Sequence, residues 1–349
     1  MKHGLRHVVC LFVALGLLLG GATLAQDEAQ SEMPGEGVIV TPAVANWESA
    51  RPIASIVMDL LGQLGYELED PSTLANPIFY QSLVQGDVDY WAHSWMPNQS
   101  NQLPENFDEE ASFAGTIVES GALQGYLVDK ASADEFGITS LDDFKREEVK
   151  AAFDTDGDGK VDLAACEAGW ACAEVVDYHL ETYGLTEDIN VLDASYTAMF
   201  ADVLSRFNNG EPVLYYTWTP NSTTVDLPPG EDVVWINVPE IAPTPEQKAM
   251  VDTMTVSGVT GAVTDPLKMG FPANDIRIAA NNTFLEENPA AAALFEQVKI
   301  PLEDIASMTA RINEGEDSDD DVMAMAQEWI SGHQEEVDGW LEAARAAAQ

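Results

Sequence analysis

Three of the eight tryptophans stand where a packing residue would be out of place. Trp95 (HSWMP), Trp170 (CEAGWAC) and Trp218 (YYTWTP) each sit at a predicted strand end or in a turn, beside proline, glycine or cysteine. Trp235, Trp329 and Trp340 read instead as ordinary core. Loops over the strand ends of α/β sheets are where ligands bind. Several aromatic faces around one cavity suit a cation that cannot donate hydrogen bonds. For a quaternary ammonium the remaining attraction is cation–π, about 2 kcal/mol once desolvated. The loop between Cys166 and Cys172 precedes a predicted helix, so its free backbone N–H groups can hold a carboxylate. A cation cage facing an anion nest describes a site for a zwitterion.

Other chemistries find less support. Three histidines remain beyond the N-terminal segment, His93, His179 and His333, and none belongs to a GxSxG, HExxH or phosphate-loop pattern. His93 reads as a structural strand residue. Asp154, Asp156, Asp158 and Asp162 fill positions 1, 3, 5 and 9 of a calcium loop, with Gly159 at position 6 and the Lys160 carbonyl at 7. Position 12 is Ala165, so the bidentate acid is missing. The expectation is an Asx-rich turn with weak calcium binding at most, and no cofactor.

The elements that position these residues follow from periodicity. A short β run (Gly37–Thr41) precedes a helix whose Ile53, Ile56, Val57, Leu60, Leu61 and Leu64 share one face. Strands are expected near residues 66–68, 88–92, 125–127, 212–217 and 232–238, with helices near 80–84, 172–183 and 197–207. The stretch from Asn288 to Ala347 reads as helical, with Val322, Met325, Trp329 and Ile330 on one face and Val337, Trp340 and Leu341 on the next. The acidic run Glu314–Asp321 reads as a solvated loop and helix start. Strands interleaved with helices predict an α/β architecture with mainly parallel sheets, and the length favours two lobes.

Composition narrows the class further. Lys2, His3, Arg6 and His7 precede an apolar run from Val8 to Leu19, and Thr23-Leu24-Ala25 has the small residues a signal peptidase needs. Residues 1–25 are therefore expected to be a cleaved signal and 26–36 a flexible leader. Removing Lys2 and Arg6 with the signal leaves 13 bases against 60 acids, a charge of −47. Such a chain repels phosphate backbones and anionic lipid, which excludes nucleic acid as a partner. Disorder is excluded too, because 46% of residues are hydrophobic. The acidic surface suits a salty habitat. Cys166 and Cys172, the pair left in an exported chain, are expected to form a disulfide that fixes the loop and adds about 2 kcal/mol on a chain-entropy argument.

The segments FDTDGDGKVDLAACEAGWACAE, YYTWTP, DVVWINVP, YTAMFADVLSRF and ENPAAAALFE together resemble the periplasmic glycine betaine/proline betaine-binding proteins of the ProX type, substrate-binding subunits of osmoprotectant ABC importers. The similarity is nearly collinear from Gly37 to Ala347. It implies a two-lobed periplasmic-binding-protein fold, type II-like, with the ligand cleft between an α/β lobe of residues 37–134 plus 266–349 and another of 135–265. It implies a monomer that hands a betaine to a membrane permease without chemistry. The family's tryptophan box carries over to Trp95, Trp170 and Trp218. Its carboxylate site carries over to the backbone of Trp170, Ala171 and Cys172. Where the family has a histidine shortly after the first tryptophan this chain has Gln99, whose amide donates without charge assistance. The nearest alternative is the same fold tuned to choline or carnitine. An exported hydrolase and a calcium-dependent structural module are more distant rivals.

Overall fold

Seven strands build the central sheet in a computed structural model, which describes residues 33–349. The predicted signal peptide and most of the leader lie outside the described residues. From one edge the strands run Ser72–Leu74, Pro42–Ala45, Tyr90–Met96, Asn274–Asn281, Ala111–Asp129 and Val233–Ile236, and Leu214–Thr219 also pairs with Ala111–Asp129. The 19-residue strand Ala111–Asp129 organises this arrangement. Its first part, to Ala122, pairs with Asn274–Asn281, and its second part, from Leu123, pairs with Leu214–Thr219 on one side and Val233–Ile236 on the other.

The sheet is not mainly parallel. Within it only Pro42–Ala45 runs parallel to its neighbours, Ser72–Leu74 and Tyr90–Met96. All pairings of Ala111–Asp129 and Asn274–Asn281 are antiparallel. Interleaved helices favour parallel pairing of consecutive strands, and neither Ala111–Asp129 nor Asn274–Asn281 pairs with the strand before or after it in the chain.

Helices cover the sheet by burying the faces that periodicity assigns. Ala50–Gln63 buries Ile53, Ile56, Val57, Leu60 and Leu61 and packs on Asp319–Gly332, while Pro289–Gln297 packs on Gln334–Ala347. The C-terminal stretch is four helices, Pro289–Gln297, Leu302–Asn313, Asp319–Gly332 and Gln334–Ala347. Val322, Met325, Trp329, Ile330, Val337 and Leu341 are buried, as is Trp235 in its strand, whereas Trp340 is half-buried. The acidic run ends in the first turn of Asp319–Gly332, where the Ser318 hydroxyl caps the Asp321 N–H at 3.1 Å. Near the start, Gly35 lies face-on to the Tyr66 ring, where a Cβ would approach within 2.5 Å, so only glycine fits.

Candidate functional site

Each box tryptophan reaches the same place from a different element. Trp95 stands near the end of Tyr90–Met96, Trp218 lies in Leu214–Thr219, and Trp170 is the N-cap of the helix Ala171–Thr182. Gly169 immediately before it has φ of 92°, a left-handed turn that a side chain would strain. A Cys166–Cys172 disulfide with Cα atoms 6.1 Å apart closes the loop. The three tryptophans meet around a cavity of about 40 Å³, room for a few water-sized spheres. All six residues that sequence reasoning nominated, Trp95, Gln99, Trp170, Ala171, Cys172 and Trp218, line it. Trp47, Asn76, Asn98, Gln124 and Tyr216 complete the wall.

The aromatic packing is edge-to-face. Trp170 and Trp218 have ring centroids 5.4 Å apart at 82°, and Trp47 meets Trp170 at 5.7 Å and 71°. Tyr196 backs Trp218 at 4.7 Å. Every box indole N–H is already committed to protein. Trp170 Nε1 donates to Asn46 Oδ1 at 3.2 Å, Trp218 Nε1 to Ser49 Oγ at 3.3 Å, and Trp95 Nε1 to His93 Nδ1 at 2.9 Å. What remains for a ligand is the π face, which serves a cation that has no N–H to donate.

His93 is indeed structural. Its Nδ1 also accepts the Trp47 indole N–H at 3.2 Å, so one buried imidazole orients two tryptophans. Burial pushes its pKa down to about 3, which keeps the ring neutral and Nδ1 an acceptor at physiological pH.

The polar side of the cavity is built from neutral donors. Gln99 Oε1 accepts the Tyr80 hydroxyl at 2.7 Å and the Trp95 N–H at 3.1 Å. With its oxygen tied down, the amide NH₂ is the end left to offer. Ala171 and Cys172 occupy the first turn of their helix, where backbone N–H groups have no intrahelical acceptor. The helix dipole adds positive potential there. Among the described residues lining the cavity the Tyr216 hydroxyl is the one ionisable group, and burial raises its pKa far above the ordinary value, while Cys172 is held in the disulfide. The cavity is thus formally neutral inside a chain of net charge −45.

The aspartate loop is elsewhere and closed on itself. Carboxylate oxygens of Asp154, Asp156 and Asp162 lie within 4.8 Å of one another, and Asp158 is not part of that group. Asp154 accepts N–H groups of Gly157, Asp158 and Gly159, Asp156 accepts that of Asp158, and Asp158 accepts that of Lys160. Asp162 accepts the Thr155 N–H at 3.0 Å and the Thr155 hydroxyl. The bonds that Asp156 and Asp158 accept from two residues on are Asx turns.

Comparison with known proteins decides the family. The model for the substrate-binding domain of ABC-type glycine betaine transport systems matches residues 39–332. The chain belongs to this family. It is a family of binding proteins and not of enzymes. The glycine betaine/proline betaine-binding periplasmic protein of Escherichia coli (strain K12) is 35% identical over 343 residues, 98% of this chain and 99% of that one. A solved glycine betaine, L-proline-binding protein (ProX) from Borrelia burgdorferi has a TM-score of 0.67 at 17% identity, covering 89% of this chain and all of that one. A choline-binding protein in complex with choline has a TM-score of 0.66 at 19% identity, covering 89% of this chain and 96% of that one. The shared fold is two α/β lobes with a ligand cleft between them. Fold similarity therefore does not separate betaine from choline; the cavity chemistry must.

Sequence reasoning missed Trp47, Asn46, Ser49, Gln124 and Tyr216. Trp47 lies just before the helix Ala50–Gln63, where nothing in the local pattern sets it apart. Gln124 and Tyr216 sit in β runs, where only strand register shows which positions share a face.

Proposed function

We propose that this protein is a periplasmic receptor that captures glycine betaine or proline betaine and delivers it to the permease of an ABC importer. The observation that carries this reading is the formally neutral cavity, which joins tryptophan faces to amide and helix N-terminal donors. A net-neutral zwitterion satisfies both sides. Choline would place a full positive charge there with no carboxylate to balance it, and would leave the donors unpaired. Relatives with periplasmic names and the basic, apolar N-terminus support export by a cleaved signal. The charge of −45 supports a receptor that meets no nucleic acid, and a monomer is the simplest unit that presents one cleft.

We also read the change of partners along Ala111–Asp129 as the lobe boundary. It moves the first crossing from residue 134 to about residue 122. Closure brings Asn46, Glu48 and Ser49 of one lobe onto Trp170, Thr197 and Trp218 of the other. Ligand that bridges the lobes shifts the population toward this state. The aspartate loop serves as a backbone-closed turn in this reading. A calcium chelator is expected to leave both the thermal midpoint and betaine binding unchanged, as differential scanning fluorimetry and calorimetry would show.

Tryptophan-fluorescence titration of the mature protein tests the function. Saturable binding of glycine betaine at micromolar concentration supports it. Absence of binding by calorimetry as well as fluorescence rejects it. The neutral site also predicts a flat pH profile. Gln99 does not titrate, and His93 takes up a proton only near pH 3, so betaine affinity should hold between pH 9 and 5. Gln99→His should introduce a pH dependence, with tighter binding as pH falls through the imidazole's range, because protonation makes the donor cationic.

A further inference from the structure

Gln124 lines the cavity yet belongs to none of the motifs that carry the family resemblance. It sits in Ala111–Asp129 directly opposite Trp218 in the antiparallel pair, so the two side chains share a face. Gln124 is 2% exposed. Its Oε1 accepts the Tyr216 hydroxyl at 2.6 Å, which fixes the amide plane. Its Nε2 is buried and has no hydrogen-bond partner among the described residues. A buried amide donor without an acceptor is costly, and the open space beside it is the ligand cavity.

We propose that Gln124 is a specificity-determining residue whose Nε2–H donates to the carboxylate of the bound ligand. This rests on the betaine reading above and deepens it. The anion end of the zwitterion is then held by two neutral amides, Gln99 and Gln124, together with the helix N-terminus at Ala171 and Cys172. Tyr216 acts as the positioning residue, since its hydroxyl holds the Gln124 oxygen and so aims the NH₂ at the cavity. Without a carboxylate a ligand leaves the Gln124 donor unpaired, which selects against choline even though the tryptophan faces would accept its trimethylammonium group.

The test compares glycine betaine with choline on the mature full-length protein by calorimetry, with competition titrations for weak binding. Gln124→Leu removes the donor at similar bulk and should weaken betaine about tenfold or more while changing choline less than twofold. Gln124→Glu keeps the shape, replaces the donor with a repelling oxygen, and should weaken betaine further while leaving choline unchanged or tighter. The ratio of the two affinities is the readout, because a residue that only supports the cage would move both ligands together. Equal losses for both ligands, or undiminished betaine binding in Gln124→Leu, would overturn the proposal. If wild-type protein fails to bind betaine at all, the functional reading itself falls, and this is visible before any variant is made.

Discussion

Trp218→Ala should weaken glycine betaine binding at least tenfold while the protein stays folded. One aromatic face on a desolvated quaternary ammonium is worth about 2 kcal/mol, and 1.4 kcal/mol is tenfold in affinity. Trp218 also packs edge-to-face with Trp170 and bonds Ser49, so its removal loosens a second wall and one tie to Ser49. Trp218→Phe keeps a smaller π face and loses the indole N–H, and should fall between wild type and alanine. Calorimetry measures the affinities, and near-ultraviolet circular dichroism confirms the fold. Unchanged affinity in the alanine variant would remove Trp218 from the cage.

The second large effect belongs to the other end of the ligand. Gln99→Glu should reduce betaine affinity about a hundredfold at neutral pH, since like charges brought together cost several kcal/mol. The substituted carboxylate would lose the donor and confront the ligand's own. Burial raises the pKa of such a group, so the deficit should shrink as pH falls and the side chain becomes a neutral acid. Choline, which carries only positive charge, should bind the same variant more tightly than it binds wild type. A betaine affinity that survives Gln99→Glu would show that the carboxylate sits away from Gln99.

Much of the site is legible in the sequence, and the rest is hidden for physical reasons. Trp95, Trp170 and Trp218 declare themselves because each breaks a local rule, an aromatic side chain beside proline, glycine or a short disulfide loop. Ala171 and Cys172 follow because a helix must begin after a loop, wherever it packs. Gln124 and Tyr216 break no local rule. Only the register that puts Gln124 opposite Trp218 and Tyr126 opposite Tyr216 gives them a role, and register is a long-range property. Trp47 is hidden for the same reason, because its partners His93 and Trp170 are distant in sequence. Strand direction fails similarly: an apolar strand buried on both faces has the same pattern whichever way its neighbour runs, so interleaved helices suggested parallel pairing where the long strand pairs antiparallel.

The neutral cavity also separates the protein's surface from its site. The chain carries sixty acidic residues, and none of those in the described residues lines the pocket. The surface charge governs solubility and tolerance of salt, which screens exposed charges within about 10 Å at 0.1 M. Cation–π and amide contacts inside a closed cleft are screened much less, so the site is suited to working at the ionic strengths where osmoprotectants are needed.

One cleft should hold a trimethylammonium group and a carboxylate at opposite ends, and a crystal structure of the mature protein with glycine betaine would show whether it does. The methyl groups should pack against Trp95, Trp170 and Trp218, with the carboxylate on Gln99 and the Ala171 and Cys172 N–H groups. A carboxylate turned toward the tryptophan faces, or ligand bound outside this cavity, would contradict this placement.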